Sequence, residues 1–176
     1  MTAEVKSISS CVLLFLLQVV LDCFINLGIY VHICIIPLII IAIPYKWHVS
    51  LTMPAAFLIG LAADFAAGGV LGVNSAAAVA VAAFRNPLFR TLVATDGSLP
   101  AQTPSTAASG AMPYLKFLSA TVLVFTTCYV LVDGLSLRPA HLVFGRIAAS
   151  GAVSIAVCYW LNLLLDRKET KTNGRL

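Results

Sequence analysis

The chain has 176 residues, 60% of them hydrophobic and 10% charged, with a formal net charge of +4 and a mean hydropathy of +0.99. Soluble domains carry about 25% charged residues, so this composition excludes a soluble globular domain and points to a polytopic membrane protein. A spanning helix needs about 20 mostly apolar residues, so the length holds six spans with short connections and leaves no room for a large soluble domain.

Met1 to Ser7 is a short polar start, and the first span is expected over 8–23, with Ser9, Ser10 and Gln18 making it mildly polar. No small-residue cleavage site follows it, so it is expected to be a retained helix. The second span, 27–43, is rich in isoleucine and contains Pro37, which removes one backbone hydrogen bond and should bend the helix. Pro44 to His48 is a turn in which Tyr45 and Trp47 suit the headgroup layer. The third span, 49–67, has Pro54 near its start, where a missing N–H matters least. The turn Gly68-Gly69-Val70-Leu71-Gly72 leads into a short fourth span, 73–84, built almost wholly of alanine and valine. There Ala76, Ala80 and Ala83 predict a smooth face for close helix contact. Arg85-Asn86-Pro87 interrupts that helix, and Leu88, Phe89 and Leu92, beside Arg85 and Arg90, are expected to continue as an interfacial stretch. The segment 95–111 is a polar, proline-containing loop, expected to be flexible and cytoplasmic. A fifth span over 112–132, a turn from Asp133 to Pro139, a sixth span over 140–165 and a basic tail, 166–176, complete an all-α, single-domain chain.

The five cysteines, Cys11, Cys23, Cys34, Cys128 and Cys158, lie within or at the edges of apolar segments and form no CxxC pair. They read as small buried apolar residues, with neither a disulfide framework nor a metal site.

Charge sets the orientation. With six spans and the N-terminus inside, Lys6, Lys46, Arg85, Arg90, Lys116, Arg167, Lys168, Lys171 and Arg175 all fall on inner segments. Arg138 alone falls on an outer loop, and Arg146 lies within the sixth span. This bias places both termini in the cytoplasm. The basic balance reads as topology and attraction to anionic lipid, not as nucleic-acid binding.

In that orientation Asp22, Asn26, His32, Asp64, Asn74, Asp133, Arg138, His141 and Arg146 gather toward the outer half. Such a set either shapes an outward-facing pocket or partner surface, or consists of helix-end residues reaching headgroups and water. Asp64 would cost about 2.5–3.5 kcal/mol at the bilayer centre and needs a partner, a water cavity or a place near the surface. Arg146, about two turns into the sixth span, lies at a compatible depth. An interhelical Asp64–Arg146 ion pair is therefore expected, with Asp22 or Asn74 as other partners, fixing helix arrangement more than adding stability. Gly60 shares a helix face with Asp64 and would let another helix approach closely, while Gly68, Gly69 and Gly72 permit a tight turn. The histidines are scattered without HExxH, and neither G-x-S-x-G nor a P-loop occurs, so no catalytic, cofactor or metal site is expected.

The middle of the chain reads Gly60-Leu61-Ala62-Ala63-Asp64, a glycine turn, Leu71-Gly72-Val73-Asn74, then an alanine-rich helix from Ala76 to Ala83 followed by Arg85. The second half adds a proline-containing inner loop, Asp133 after the fifth span, and Arg146, Ile147 and Ser150 in the sixth. From about Leu21 to Leu165 this pattern resembles the rod-shape-determining MreD family. Several relatives carry histidines late in the fifth span, where this chain has Thr126-Thr127-Cys128, so a role tied to those histidines does not transfer. The resemblance implies a non-enzymatic inner-membrane scaffold of the bacterial elongation machinery. Its partners would be MreC, with MreB, RodA and a penicillin-binding transpeptidase in a larger complex that positions lateral peptidoglycan synthesis and maintains cell shape. It also implies a fold similar to the S components of energy-coupling-factor vitamin transporters, and a solute-binding transporter subunit is the rival expectation. Gly60, Asp64, Gly72, Asn74 and Arg146 are the residues expected to carry architecture and partner contact.

Overall fold

A computed structural model describes residues 3–24, 32–43, 45, 47–68, 70–94, 110–133 and 140–173. The described residues form α1 (Ala3–Phe24), α2 (Ile36–Ala42), α3 (Val49–Ala67), α4 (Val73–Leu92), α5 (Ala111–Asp133) and α6 (Ala140–Asn173), with no strand among them. Among the described residues, three helical stretches, Val49–Ala67, Ala111–Asp133 and Val143–Leu164, are long and apolar enough to cross a membrane. Large apolar side chains on all three face outward, including Leu51, Leu58, Phe65, Leu131, Phe144 and Trp160. A shell of this kind suits lipid and would be costly in water, which marks the chain as a membrane protein.

The second segment departs from the expectation of one helix over 27–43. Residues 32–35 are non-helical and α2 spans only seven residues, about 10 Å at 1.5 Å per residue and well short of a bilayer. Pro37 starts this helix and does not kink a longer one. Its ring sits in the first turn, where no intrahelical N–H is required. α2 is buried on every side. Ile35, Leu38, Ile39 and Ile41 pack with Leu14, Phe89, Tyr114, Phe117, Leu118 and Val122, while Ile36 and Ile40 pack with Ala56, Ala63, Ala77, Ala78, Val81, Ala82 and Phe125. An isoleucine-rich helix that is apolar all round belongs at such a centre.

The fourth helix does not stop at Arg85. α4 continues through Pro87 to Leu92, so Leu88, Phe89 and Leu92 belong to it. Phe89 packs in the core, edge-on to Phe117. The buried stripe of α4 is Ala77, Ala78, Val81, Ala82 and Arg85, one position away from the expected Ala76, Ala80 and Ala83, of which Ala76 is exposed. α6 likewise runs nine residues past Leu164, to Asn173, where a polar tail was expected from 166. The loop is described only from Gly110 onward, and its residues 95–109 lie outside the described residues, as do Asn26, Gly69, Arg138 and the side chain of His141.

α3 and α4 form a tight antiparallel pair. Gly60 is buried on α3, and a Cβ placed there would lie 2.5 Å from Ser75 Cα, 2.7 Å from Ser75 N and 2.8 Å from Asn74 O. These are backbone atoms, so a larger residue cannot be accommodated by turning a side chain. Gly60→Ala should therefore cost about 1–3 kcal/mol of stability, and Gly60→Leu should abolish accumulation, as read by thermal unfolding of the detergent-solubilised chain and by its level in membranes.

Candidate functional site

The joint between α3 and α4 is built on one carboxylate. α3 ends at Gly68, a left-handed residue with φ 63°, and α4 begins after Gly72, with φ 102°. Glycine at position 72 brings no side chain to cap the helix, and Asp64 supplies the cap from the last turns of α3. Its Oδ2 accepts the Gly72 N–H at 2.9 Å, the Ser75 N–H at 3.3 Å and the Ser75 hydroxyl at 3.1 Å. Its Oδ1 accepts the Asn74 N–H at 3.0 Å. The first N–H groups of any helix lack intrahelical acceptors, and the N-terminus carries partial positive charge. A buried carboxylate, 2% exposed, is thus held by three backbone donors and a hydroxyl, with no basic side chain on it among the described residues.

A second polar system holds the non-helical segment before α2. The His32 N–H donates to Ser150 Oγ at 3.1 Å, the Cys34 N–H to Ser154 Oγ at 3.1 Å, and Ser154 Oγ–H to the His32 carbonyl at 3.4 Å. The Cys158 thiol reaches the Cys34 carbonyl at 3.5 Å. Ser150, Ser154 and Cys158 recur every four residues and form one ridge of α6. From α1, the Gln18 amide accepts the Ile35 N–H at 2.6 Å and donates to the Ile33 carbonyl at 3.3 Å and to Asp22 at 2.8 Å.

At the other end of α2 the Arg85 guanidinium, 1% exposed, donates through one nitrogen to the carbonyls of Ile40 and Ile43 at 2.9 and 3.0 Å. It also stacks 4.2 Å from the centre of the Tyr45 ring. Carbonyl dipoles at a helix C-terminus and an aromatic face are both favourable for a cation. The Tyr114 hydroxyl donates to Asn162 Oδ1 at 2.9 Å and joins α5 to α6.

Arg146 pairs with Asp133, not with Asp64. The expected Asp64–Arg146 bridge is not formed because the start of α4 already occupies Asp64, while Asp133 ends the helix packed beside α6. Of the alternative partners considered for Asp64, Asn74 meets it through its backbone N–H. Asp22 is bound by Gln18, and the His32 ring lies flat on Tyr129 with centroids 4.4 Å apart.

No family model, curated protein or solved structure matches the chain.

Of the residues singled out in the sequence, Gly60, Asp64, Gly72 and Asn74 come together at the α3–α4 joint, and Arg146 stands apart on the α5–α6 pair. Gln18, Arg85, Ser150 and Ser154 were not among the five residues expected to carry architecture and contact, although Gln18 was noted as a polar residue of the first span, and Arg85 and Ser150 belong to the pattern behind the resemblance. Gln18 is a lone amide in an apolar span, and Ser150 and Ser154 share a helix face, so each carried a signal. Arg85 read as a basic residue closing the alanine-rich helix, so its burial was not expected. The four cysteines with described side chains are unpaired, with Cys34 and Cys158 buried and Cys11 and Cys128 half-buried.

Two outcomes follow from this geometry. Asp64→Asn places an NH2 group where an oxygen accepted hydrogen bonds, and should destabilise the chain by about 1.5–3 kcal/mol for each charged-acceptor bond lost, measured by thermal unfolding. Charge reversal at Asp133 or Arg146 alone should lower membrane accumulation and the double reversal should restore it, whereas a double reversal at Asp64 and Arg146 should be no better than its single variants.

Proposed function

We propose that the chain is a six-span inner-membrane scaffold of the MreD kind, with both termini in the cytoplasm, acting by binding MreC and other elongation proteins to position lateral peptidoglycan synthesis. The carrying observation is the convergence of Gly60, Asp64, Gly72 and Asn74 on one joint. These are the residues of the G-L-x-x-D and L-G-x-N patterns on which the resemblance rests. Their contacts give that pattern a physical purpose: a close helix pair whose turn is locked by a carboxylate.

The chemistry of the buried polar groups agrees with a binding role. Both oxygens of Asp64 are occupied by donors, so it is not poised as a base, and one nitrogen of the buried Arg85 is bound to the carbonyls at the end of α2. The gap lined by His32, Cys34, Phe125, Thr126, Tyr129 and Ser150 is too tight for a water molecule, which favours a scaffold over a vitamin-binding subunit at that position. The positive-inside distribution of lysine and arginine supports the orientation.

The test is affinity purification of the full chain in mild detergent from cells that also express a tagged MreC, together with clean deletion. Copurification of MreC, and rounding or death of rod-shaped cells on depletion, is the expected result. Absence of MreC from the purified material, with normal width and viability after deletion, would refute the proposal, and a copurified vitamin would transfer the chain to the transporter class.

A further inference from the structure

Within the described residues α6 meets the body mainly along α5, and its polar link to the α1–α2 side is the side-chain ladder on residues 32–34, beside the packing of Cys158 in the core with Leu14 and Ile35. The seam has three parts: the Ser150, Ser154 and Cys158 ladder, the His32–Tyr129 stack, and the Asp133–Arg146 ion pair. His32 belongs to the first two. Its main-chain N–H and C=O both engage α6, while its ring lies parallel to Tyr129 within 3°. The ring Nε2 is buried with no hydrogen-bond partner.

Among the described residues, the charged groups that act on that ring are Asp22 of α1, Asp133 of α5 and Arg146 of α6, and Tyr129 of α5 is stacked on it. Asp133 is held by Arg146, and Asp22 by Gln18. A neutral imidazole can leave one nitrogen as an idle acceptor. An imidazolium cannot, because both nitrogens then donate, and a buried charged donor without an acceptor is costly. Once protonated, the ring is better satisfied by leaving the stack for the carboxylates of Asp22 and Asp133. That movement turns His32, whose backbone, together with that of Cys34, ties the non-helical segment to α6.

We propose that the seam between residues 32–34 and α6 is a proton-operated latch, closed while His32 is neutral and released when its imidazole takes up a proton. Histidine is the side chain whose ordinary titration falls in the physiological range. The latch joins α1 and α2 to α6, so its release frees one wall of the bundle while the α3–α4 joint stays locked. The inference is independent of which partner the chain binds.

The buried thiols of Cys34 and Cys158 report the seam directly. The full chain, with Cys11, Cys23 and Cys128 replaced by alanine, is placed in lipid nanodiscs and labelled with an uncharged pyridyl disulfide. Each rate is divided by that of the same chain unfolded in SDS at the same pH, which removes the titration of the thiols themselves. The normalised rate should rise at least about threefold between about pH 7.5 and about pH 5.5, the range in which an imidazole takes up its proton. His32→Asn should remove this pH dependence, and Ser150→Ala with Ser154→Ala should give fast labelling at both pH values. A flat rate in the parent chain, an unchanged pH dependence in H32N, or slow labelling in the double serine variant would each overturn the latch. The pH series of the parent chain stands by itself if H32N does not accumulate, and His32→Gln then takes its place.

Discussion

Residues 32–43 pass through the most buried part of the molecule without being able to satisfy their own backbone. Five of them are non-helical and seven form a helix too short to close more than a few internal hydrogen bonds. In an apolar interior every unpaired N–H or C=O costs kilocalories, and irregular backbone at membrane depth survives only where protein surrounds it. The remaining helices are arranged so that polar side chains arrive where this segment needs them. Gln18 and the serine ridge of α6 meet its start, and Arg85 meets its end.

This requirement explains the distribution of polar residues better than a division between helix ends and helix interiors. Ser150, Ser154, Gln18 and Arg85 are buried deeply, each with a main-chain partner on another element. Asp64 follows the same logic at the next turn, where a glycine start to α4 creates donors that the glycine itself cannot meet. Since lipid supplies no hydrophobic drive between spans, these bonds and the close contact at Gly60 contribute a large share of what selects one arrangement of the helices. Apolar packing around α2 then fills the space they define.

Two halves of this architecture differ in how firmly they are held. The α3–α4 pair is rigid, with a backbone approach that admits only glycine and a turn fixed by a carboxylate. α6 is joined less extensively, by α5 and by hydrogen bonds to an irregular segment. A scaffold benefits from both properties: a fixed body that sets the position of partners, and one wall able to respond. The outward apolar side chains of α3, α5 and α6 provide a surface suited to lipid.

Composition and hydropathy alone established the helical, membrane-embedded class, because excess apolar residue over roughly 20-residue stretches has no other stable outcome in water or lipid. The glycine turn, the proximity required of Gly60 and the need of Asp64 for partners were also legible, since each follows from a single residue's chemistry in its local context. Which partner Asp64 takes, why Arg85 is inside, and where the second segment ceases to be helical were settled only in three dimensions. An isoleucine-rich run with a proline suits a long helix as well as a short one, and a carboxylate is satisfied by a guanidinium as readily as by backbone N–H groups. The choice rests on which donors and acceptors other elements bring within about 3 Å, and residues 42 to 124 positions apart in sequence meet only once the helices have packed.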